Sequence, residues 1–270
     1  ATPMAIVAGT GMAAQRGILI RDPQTLETAQ HIDMVVFDKT GTLTQGKPTL
    51  QALVLSPTGA DPGAVALRQG ESESQRHGQA SGQPSSQTLS QTETQALSIA
   101  ASLQAASEHP LARAVLQAAA AQKLVFGQAS QVAAVPGMGL AGEVNGQRWC
   151  LGSVRWAASQ GVDVTPWQPQ VAVHQQQGHS VSLLWPEGAA PVPVAFLAFG
   201  DAIKAGARAD LDALRARGLQ LRMLSGDSPV TAQAVAAQLG FAPQEVRAGM
   251  LPGDKAQAVR DWHAQGNMPA

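Results

Sequence analysis

The sequence predicts an α/β fold built on a parallel sheet, into which a second, α+β domain is inserted. Near both ends of the chain, short apolar strands alternate with helices, which is the order of a parallel sheet covered by helices on both faces. The middle of the chain instead shows short strands separated by Gly and Asn-Gly turns, which is typical of antiparallel hairpins. We therefore expect residues 1–47 and 193–270 to form the parallel-sheet domain, and residues 48–192 to form the inserted domain.

The N-terminal part predicts a short Ala-rich helix within residues 1–20 and a strand at Gly17–Ile20. Thr25–Gln30 predict a further helical turn. Val35–Asp38 is a short, continuous apolar run that ends in a carboxylate, which is typical of a strand buried on both faces. The next stretch, PTLQALVLS, alternates with a period of two and predicts another strand.

The inserted domain contains a polar segment, residues 70–95, composed almost entirely of Ser, Gln, Glu, Thr and Gly. Such a segment cannot bury enough apolar surface to offset its ordering entropy, so we expect it to be disordered. Ala96–Ala106 and the Ala-rich Leu111–Gln122 predict two helices. Residues 131–151 predict short strands, with a hairpin at the sequence EVNGQRWCLG.

The last third of the chain returns to alternating strands and helices. VAFLAFGD predicts a strand that ends at Asp201, and LQLRMLSGD predicts a strand that ends in a turn of small residues. Between them lies an amphipathic helix that is closed by Gly218. The helix PVTAQAVAAQLG and the strand and loop EVRAGMLPGDK complete the alternation.

Composition and charge exclude several functions. The chain has 270 residues, a formal net charge of −1 and 14% charged residues, so no basic surface supports binding to nucleic acid. The single cysteine, Cys150, allows no disulfide within the chain and indicates a reducing compartment. No apolar run approaches the roughly 20 residues needed to cross a bilayer, and no signal peptide opens the chain. We expect a soluble polypeptide, and the missing initiator Met suggests a piece of a longer protein.

Polar groups follow the carboxyl ends of the predicted parallel strands, where the ligand site of such a sheet lies. They are Asp38, the sequence Ser225-Gly226-Asp227, and Lys255 in the loop after the last strand. Asp38 is a candidate nucleophile, because a carboxylate can form an acyl phosphate. Ser225 and the amide of Gly226 can donate hydrogen bonds to phosphate oxygens, and Lys255 can offset the charge of the phosphate. Together these residues predict a phosphate site.

The sequence DKTGTLT, which begins at Asp38, resembles the phosphorylation signature of the P-type ATPases, within the haloacid-dehalogenase-like superfamily. The resemblance implies a haloacid-dehalogenase-like phosphorylation domain in which Asp38 attacks the γ-phosphate of ATP. MLSGD resembles the family's Thr-Gly-Asp element, LPGDK its Pro-x-x-Lys element, and GDAIK the hinge at which the chain re-enters this domain. The catalytic residues that the resemblance implies are Asp38, Lys39, Thr40, Ser225, Gly226, Asp227 and Lys255.

The residue at position 40, here Thr40, distinguishes phosphatases from pumps within this superfamily. Its phosphatases commonly carry a second Asp two residues after the nucleophile, as general acid and base, and Thr40 cannot transfer protons near neutral pH. The phosphoenzyme should therefore persist, which suits a pump. A free-standing phosphatase of the superfamily and a non-enzymatic ATP-binding module are the alternative interpretations.

The inserted domain resembles the nucleotide-binding domain of the heavy-metal (P1B) ATPases. SEHPLARAVL resembles the element whose His contacts adenine, and GMGLAG resembles the Gly-x-Gly-x-x-Gly loop, in which glycines allow a close approach of the nucleotide. LGS resembles a third element, usually Gly-Asn, with Ser153 in place of the Asn. Gln104 stands where many relatives carry an adenine-contacting Glu, so we expect weakened nucleotide binding. The nucleotide-binding residues that the resemblance implies are Gln104, Glu108, His109, Gly137, Gly139, Gly142 and Gly152.

Several of these residues also have a purely structural interpretation. His109 can cap a helix that has Pro110 at its first position. The glycines of GMGLAG can serve strand turns, and Asp227 can orient its loop without contacting phosphate. His174 and His179, five residues apart, fit no standard metal site and are expected at the surface.

The resemblance also implies the surroundings of this region. It places the chain among the cytoplasmic domains of an integral membrane protein, with ATP and Mg²⁺ as cofactors and copper(I) as the favoured cargo. The implied partners are the membrane domain of the same protein and the transported metal ion, which does not bind here. The inserted domain must swing to bring ATP to Asp38, with hinges near Gly46–Pro48 and Phe199–Asp201.

One element of the resemblance is missing from the sequence. Relatives carry a Gly-Asp-Gly loop after this region, and its Asp completes the Mg²⁺ site. The chain ends without this loop, so we expect a C-terminally truncated phosphorylation domain in which Asp38 and the backbone carbonyl of Thr40 alone hold Mg²⁺. The chain by itself should bind nucleotide but become phosphorylated poorly.

Overall fold

A computed structural model describes residues 2–20, 29–56, 89–188 and 191–270. No helix in these ranges combines the length and apolar character that a membrane span requires. The strands are β1 (Met34–Asp38), β2 (Thr49–Leu55), β3 (Ser130–Val135), β4 (Gly139–Val144), β5 (Gln147–Ser153), β6 (Ser180–Pro186), β7 (Ala195–Gly200), β8 (Gln220–Leu224) and β9 (Val246–Arg247). The α-helices are α1 (Thr2–Gln15), α2 (Gln91–Gln104), α3 (Pro110–Ala121), α4 (Val154–Ser159), α5 (Gln168–Gln176), α6 (Ala207–Ala216), α7 (Pro229–Leu239) and α8 (Pro252–Ala264).

Three strands form a parallel sheet in the order β1-β8-β9. The register places Asp38, the last residue of β1, beside Leu224, the last residue of β8. Helices cover both faces of this sheet, because the consecutive residues Met223 and Leu224 belong to different cores. Met223 packs in a core with Leu211 of α6, and Leu224 packs in a core with Trp262 of α8. The predicted parallel sheet between helical layers is therefore confirmed.

The inserted domain contains a six-stranded antiparallel sheet in the order β2-β7-β6-β5-β4-β3. The predicted hairpin joins β4 and β5, with Asn145 and Gly146 at positive φ angles of 52° and 77°. Asn and Gly adopt such angles at little cost, so this pair sets the turn. Helices α2 and α3 pack on one face of the sheet around Ala100, and Trp167 and Trp185 lie in the core on the other face.

Strand β7 lies in a different sheet from the predicted one. The sequence pattern assigns Ala195–Gly200 to the parallel-sheet domain, because the final alternation of strands and helices begins there. In the structure β7 pairs antiparallel with both β2 and β6. A strand that is buried on both faces is apolar throughout in either kind of sheet, so its sequence does not distinguish the two. The pairing favours a domain boundary near Asp201 rather than at residue 193.

Helix α2 begins earlier than predicted. Gln91, its first residue, lies inside the polar segment 70–95. Ser90 and Glu93 form a capping box, in which each side chain accepts a hydrogen bond from the other residue's backbone amide. The polar residues at this end of the segment therefore start a helix. Residues 57–88, which include most of the segment, lie outside the described part of the chain.

The predicted N-terminal strand is also absent from the described structure. Gly17–Ile20 follows α1 as a turn and irregular chain and pairs with no strand in the ranges that the structure describes. Most of the predicted helical turn at Thr25–Gln30 falls on residues 21–28, which lie outside those ranges.

The two domains are in contact. Helix α5 of the inserted domain packs against α7 of the parallel-sheet domain. The Thr231 hydroxyl of α7 donates a hydrogen bond to the His179 carbonyl at 3.0 Å. The Arg155 guanidinium donates another to the Gly249 carbonyl at 3.2 Å. These contacts place the inserted domain beside the carboxyl ends of the parallel strands.

Candidate active site

Asp38 lies at the carboxyl end of β1 and is half exposed. The Nζ atom of Lys255 lies 2.8 Å from Asp38 Oδ1. An ammonium group at this distance offsets the charge of the carboxylate and stabilises further negative charge brought beside it. The structure thus joins two residues that are 217 positions apart in the sequence.

Lys255 lies in the first turn of helix α8, whereas its place after the last strand predicts a loop. Pro252 opens the helix, and the Asp254 carboxylate accepts a hydrogen bond from the Leu251 amide at 2.8 Å. Proline favours the first helical position, so the sequence LPGDK contains a helix-start signal that the loop prediction ignores. The helix holds Lys255 toward Asp38.

The signature after Asp38 forms a tight turn over Lys39–Leu43. Within it Thr40 is extended, and Gly41 has a positive φ of 78°, which glycine adopts without steric penalty. Lys204 fastens this turn, because its Nζ donates a hydrogen bond to the Gly41 carbonyl at 2.8 Å. The turn therefore depends on a residue from the last third of the chain.

Asp201 fastens the segment that follows this turn. Its carboxylate accepts a hydrogen bond from the Thr44 hydroxyl at 2.5 Å and from the amides of Gly46 and Lys47 at 3.1 Å each. Asp201 follows β7 directly, and Gly46 precedes β2, so these bonds hold together the two places where the chain crosses between domains. The two predicted hinges lie side by side.

Lys39 is buried, and its Nζ lies 2.6 Å from Asp227 Oδ2. Ser225 donates a hydrogen bond to the same carboxylate at 2.8 Å, and Ser180 of the inserted domain donates to Asp227 Oδ1 at 2.5 Å. Burial by itself would raise the pKa of Asp227, but the Lys39 charge and these hydrogen bonds lower it below its usual value. Asp227 is therefore ionised, and its contacts fit the structural interpretation of this residue.

The two predicted phosphate donors differ in access. Ser225 is buried, and its hydroxyl donates to Asp227. Gly226 is exposed, and a Cβ at this position would lie 3.3 Å from the Met250 carbonyl. Gly226 is therefore the more accessible donor, while Ser225 shapes the turn.

His109 caps helix α3, because its Nδ1 accepts a hydrogen bond from the Leu111 amide at 3.2 Å. Partial burial lowers the pKa of His109, which favours the neutral ring that this bond requires. The cap uses Nδ1 only, so a nucleotide contact through Nε2 is compatible with it. The neighbouring Glu108 is exposed.

Gln104, in the last turn of α2, is only 8% exposed. Its Oε1 is buried and has no hydrogen-bond partner among the described residues. Buried acceptors are normally paired, so the unpaired Oε1 is compatible with a ligand that supplies a donor. The contact of Gln104 with nucleotide stays a prediction, and this observation supports it.

Gly139 and Gly152 face each other across strands β4 and β5. A Cβ on Gly152 would meet the Trp156 ring at 2.3 Å, and a Cβ on Gly139 would meet the Leu151 carbonyl at 2.4 Å. No larger side chain fits at either position. Packing alone therefore explains both glycines, and their role in nucleotide binding stays a prediction.

The other two glycines of the loop make different contacts. A Cβ on Gly142 would lie 3.1 Å from the Leu103 side chain of α2. Gly137 has a positive φ of 69°, and a Cβ there would lie 2.6 Å from Leu251 of the other domain. The glycine loop thus borders the start of α8, the helix that carries Lys255.

A cleft of about 310 Å³ lies along the face of α2 that carries Gln95 and Ser102, whereas Gln104 lies on the opposite face of this helix. None of the predicted nucleotide-binding residues lines it. The cleft and the prediction therefore indicate opposite faces of the helix, and the unpaired Gln104 oxygen favours the predicted face. The residues that line the cleft are Gln95, Ser98, Ile99, Ser102, Val125, Phe126, Gly127, Gln128, Val144, Asn145, Gln147 and Trp149.

Three residues contribute to the site without having been predicted as site residues: Arg155, Ser180 and Lys204. Lys204 belongs to GDAIK, where the Asp-x-x-Lys spacing is a signal for it. Ser180 and Arg155 lie in the inserted domain and contact residues 47 and 94 positions away. No local pattern marks them, because their role depends on how the two domains meet.

Comparison with protein families matches residues 32–267 to the haloacid dehalogenase-like hydrolases. The match includes both the strand that carries Asp38 and the helix that carries Lys255. The chain belongs to this family, which confirms the superfamily implied by the DKTGTLT signature.

Curated relatives are named as metal-transporting ATPases. The chain is 35% identical over 274 residues to the probable copper-transporting ATPase PacS of Synechocystis sp., a match that covers 100% of this chain and 32% of the relative. It is 32% identical to a copper-exporting P-type ATPase of Legionella pneumophila, covering 98% of this chain and 31% of the relative. The chain therefore spans about a third of the length of these relatives.

Solved structures show the same fold. A zinc-transporting PIB-type ATPase in its E2·Pi state is 28% identical with a TM-score of 0.55, covering 99% of this chain and 37% of that one. The catalytic domain of the CPx-ATPase CopB-B is 18% identical with a TM-score of 0.67, covering 96% and 78%. Because the CopB-B domain is only 18% identical, its similarity shows a shared fold and nothing more. The predicted haloacid-dehalogenase-like fold is confirmed.

Proposed function

We propose that this chain is the ATP-binding and aspartyl-phosphorylation region of a P-type ATPase that moves a heavy metal, in the first place copper(I), across a membrane. The observation that carries the proposal is the 2.8 Å contact between Lys255 and Asp38, the first residue of the DKTGTLT signature, in a member of the haloacid dehalogenase-like hydrolases. The names of the copper-transporting and copper-exporting relatives support the choice of metal. In the whole protein, ATP hydrolysis would drive export.

In the proposed reaction, a carboxylate oxygen of Asp38 bonds to the γ-phosphorus of ATP while the bond to the β–γ bridging oxygen breaks and ADP leaves. The half exposure of Asp38 gives the phosphate access. Lys255 offsets the negative charge that the carboxylate and the phosphate bring together. Thr40 provides no carboxylate to activate water, so the acyl phosphate persists.

The residues at this site fit a Mg²⁺ ion that also contacts the nucleotide. Mg²⁺ prefers oxygen ligands and is commonly held by one or two carboxylates together with substrate phosphates. Asp38 offers an exposed carboxylate, and the extended backbone at Thr40 offers a carbonyl oxygen. The described residues contain no cluster of three or more metal-binding side chains, and phosphate oxygens and water are further ligands that Mg²⁺ accepts. When bound, Mg²⁺ would neutralise phosphate charge.

We assign the adenine end of ATP to the inserted domain, beside Gln104 and His109. The buried Gln104 Oε1 lacks a partner within the described ranges, and the amino group of adenine is a donor that can satisfy it. His109 keeps Nε2 available while Nδ1 caps α3. Gly137 lies against Leu251 at the start of α8, so the glycine loop adjoins the helix of Lys255.

The proposed partners are ATP, the transported ion and the membrane domain of the same protein. The ion needs a path through the bilayer, and we assign that path to the membrane domain. We place this region on the cytoplasmic side, where ATP is available.

The test of the nucleophile uses the protein extended at both ends to the length of its curated relatives. With γ-labelled ATP and Mg²⁺ it should form an acid-stable, hydroxylamine-sensitive phosphoprotein, and Asp38→Asn should abolish the label. The control Asp210→Asn, an exposed position on α6, should keep it. Label that remains in Asp38→Asn would exclude this nucleophile, and hydrolysis of small phosphomonoesters without preference for ATP would favour the phosphatase alternative.

The test of the adenine site uses the 270-residue chain itself. In calorimetric titrations with ATP, His109→Ala should weaken binding at least tenfold. His31→Ala, which removes another exposed histidine, should leave binding unchanged. If both variants bind ATP with equal affinity, the adenine base does not contact His109.

A further inference from the structure

Two histidines that the proposed function does not use face each other beside the domain contact. His174 lies in the last turn of α5, and His179 precedes β6. Their Nδ1 atoms are 3.3 Å apart, and their ring centroids are 5.6 Å apart. Both side chains are half-buried, in contrast to the predicted surface positions.

The two distances together define the orientation of the rings. The separation of the centroids equals the nitrogen–nitrogen distance plus about one ring radius at each end. This is the largest value that the geometry allows, so the two centroids and the two Nδ1 atoms lie nearly on one line. The in-plane bonding direction of each Nδ1, along which either a lone pair or an N–H bond lies, therefore points at the other ring.

Packing places both rings close to each other. His174 meets the Phe196 ring edge-on, with centroids 5.4 Å apart. The chain turns at Gly178, which has a positive φ of 82°, and the His179 amide donates to the His174 carbonyl at 3.0 Å. A Cβ on Gly200 would lie 3.2 Å from His179 Cδ2, so the backbone of β7 lies directly beside this ring.

The surroundings favour a cation held by these two nitrogens alone. His174 lies at the C-terminal end of α5, where the helix dipole favours positive charge. The described residues contain no cluster of three or more His, Cys, Asp or Glu side chains, which a typical zinc site requires.

We propose that His174 and His179 bind one monovalent d¹⁰ cation, Cu⁺ or Ag⁺, between their Nδ1 atoms. Such ions accept two ligands in a line, and imidazole is a suitable ligand for copper. A metal about 2 Å from each nitrogen needs about 4 Å between them, so the rings must separate by about 0.7 Å from their present 3.3 Å. The proton now shared between the Nδ1 atoms moves to Nε2 of its own ring, so both rings stay neutral.

The test is a calorimetric titration of the 270-residue chain with Ag⁺ in nitrate buffer. Cys150 is replaced by Ala throughout, since a thiol also binds Ag⁺, although burial raises the pKa of Cys150 to about 11. One Ag⁺ should bind per chain, and His174→Gln and His179→Gln should each weaken binding at least tenfold. The control His263→Gln, exposed on α8, should bind as before, and Zn²⁺ should bind more weakly than Ag⁺.

A second measurement uses no histidine substitution and so does not depend on the folding of a variant. Long-range ¹H–¹⁵N spectra of the chain with unaltered histidines should show both Nδ1 resonances shifting on addition of one equivalent of Ag⁺, with both Nε2 atoms protonated. If an Nδ1–H resonance persists at saturating Ag⁺, the two histidines form only a hydrogen bond and the proposal is wrong. Equal Ag⁺ affinity in the three histidine variants, or tighter binding of Zn²⁺, would also overturn the proposal.

Discussion

Asp227 links the phosphorylation signature, the loop after β8 and the inserted domain through one carboxylate. It pairs with Lys39, which is only 4% exposed, and accepts hydrogen bonds from Ser180 and Ser225. Asp227→Asn leaves the Lys39 ammonium buried without a counter-charge, which typically costs about 3–5 kcal/mol. We expect a decrease of that order in the free energy of unfolding, measured by urea denaturation at neutral pH.

The control for Asp227 is Asp212→Asn, which breaks exposed ion pairs on α6 and should cost less than about 1 kcal/mol. Acidification gives an independent check. The pKa of Asp227 is lowered in the folded state, so its stabilising effect is complete above the ordinary value of about 3.9 and is lost as the pH falls below it. The difference in the free energy of unfolding between wild type and Asp227→Asn should therefore shrink as the pH falls below about 3.9. A difference that stays constant would contradict the ion pair.

Gln104 is the residue at which this sequence departs from the family pattern inside the predicted adenine site. Gln104→Glu puts a carboxylate at a position that is 8% exposed, so the nucleotide-free protein should lose stability. A charged acceptor makes hydrogen bonds about twice as strong as a neutral one. We therefore expect ATP affinity to rise severalfold, measured by calorimetric titration.

The matched control for this change is Gln117→Glu, which adds the same charge at an exposed position of α3. It should alter neither stability nor ATP affinity appreciably. If the two Glu variants bind ATP equally, the buried Oε1 of Gln104 does not face the nucleotide.

Among the secondary-structure elements, the paired strands β4 and β5 depend on having glycine at the two positions that lie against Trp156. Gly152→Ala would place a methyl group 2.3 Å from this ring, and overpacking of this kind typically costs about 1–3 kcal/mol. The thermal unfolding temperature should fall. Gly127→Ala is the control, because a Cβ there meets no atom within 4 Å. An unchanged unfolding temperature in Gly152→Ala would show that β5 shifts to accommodate the methyl group without loss of stability.

The elements also show where sequence patterns suffice and where they do not. The Asn-Gly hairpin of β4 and β5 could be predicted because its turn depends on two adjacent residues. The start of α2 could be recognised only from a capping box at Ser90 and Glu93, which lies within polar sequence that resembles a disordered segment. Lys255 is a similar case, because Pro252 starts a helix in a place where the motif predicts a loop.

At the scale of the whole molecule, Ser180 connects the inserted domain to the phosphorylation loop through its 2.5 Å hydrogen bond to Asp227. Ser180→Ala removes one hydrogen bond to a charged group, typically worth about 1.5–3 kcal/mol, while Lys39 still holds the carboxylate. Amides of residues 225–228 should then exchange hydrogen faster, without loss of the overall fold. Ser182→Ala, on the same strand, is the control. Equal exchange in both variants would show that Ser180 does not stabilise the loop.

The sequence by itself determined which residues are candidates for the proposed phosphorylation site. Asp38, its signature and the Pro-x-x-Lys element are local patterns, and the rule that ligands lie beyond the carboxyl ends of parallel strands brings Asp38 and Lys255 together. The alternation of strands and helices likewise identified the parallel sheet, because period and length are properties of neighbouring residues.

Only the tertiary structure decided which sheet contains β7, which partners hold Asp227, and that His174 faces His179. An apolar strand pairs equally well in either sheet, and a polar side chain shows no partner until distant segments meet. These outcomes depend on contacts between residues far apart in the sequence, whereas periodicity and spacing report only on residues close together.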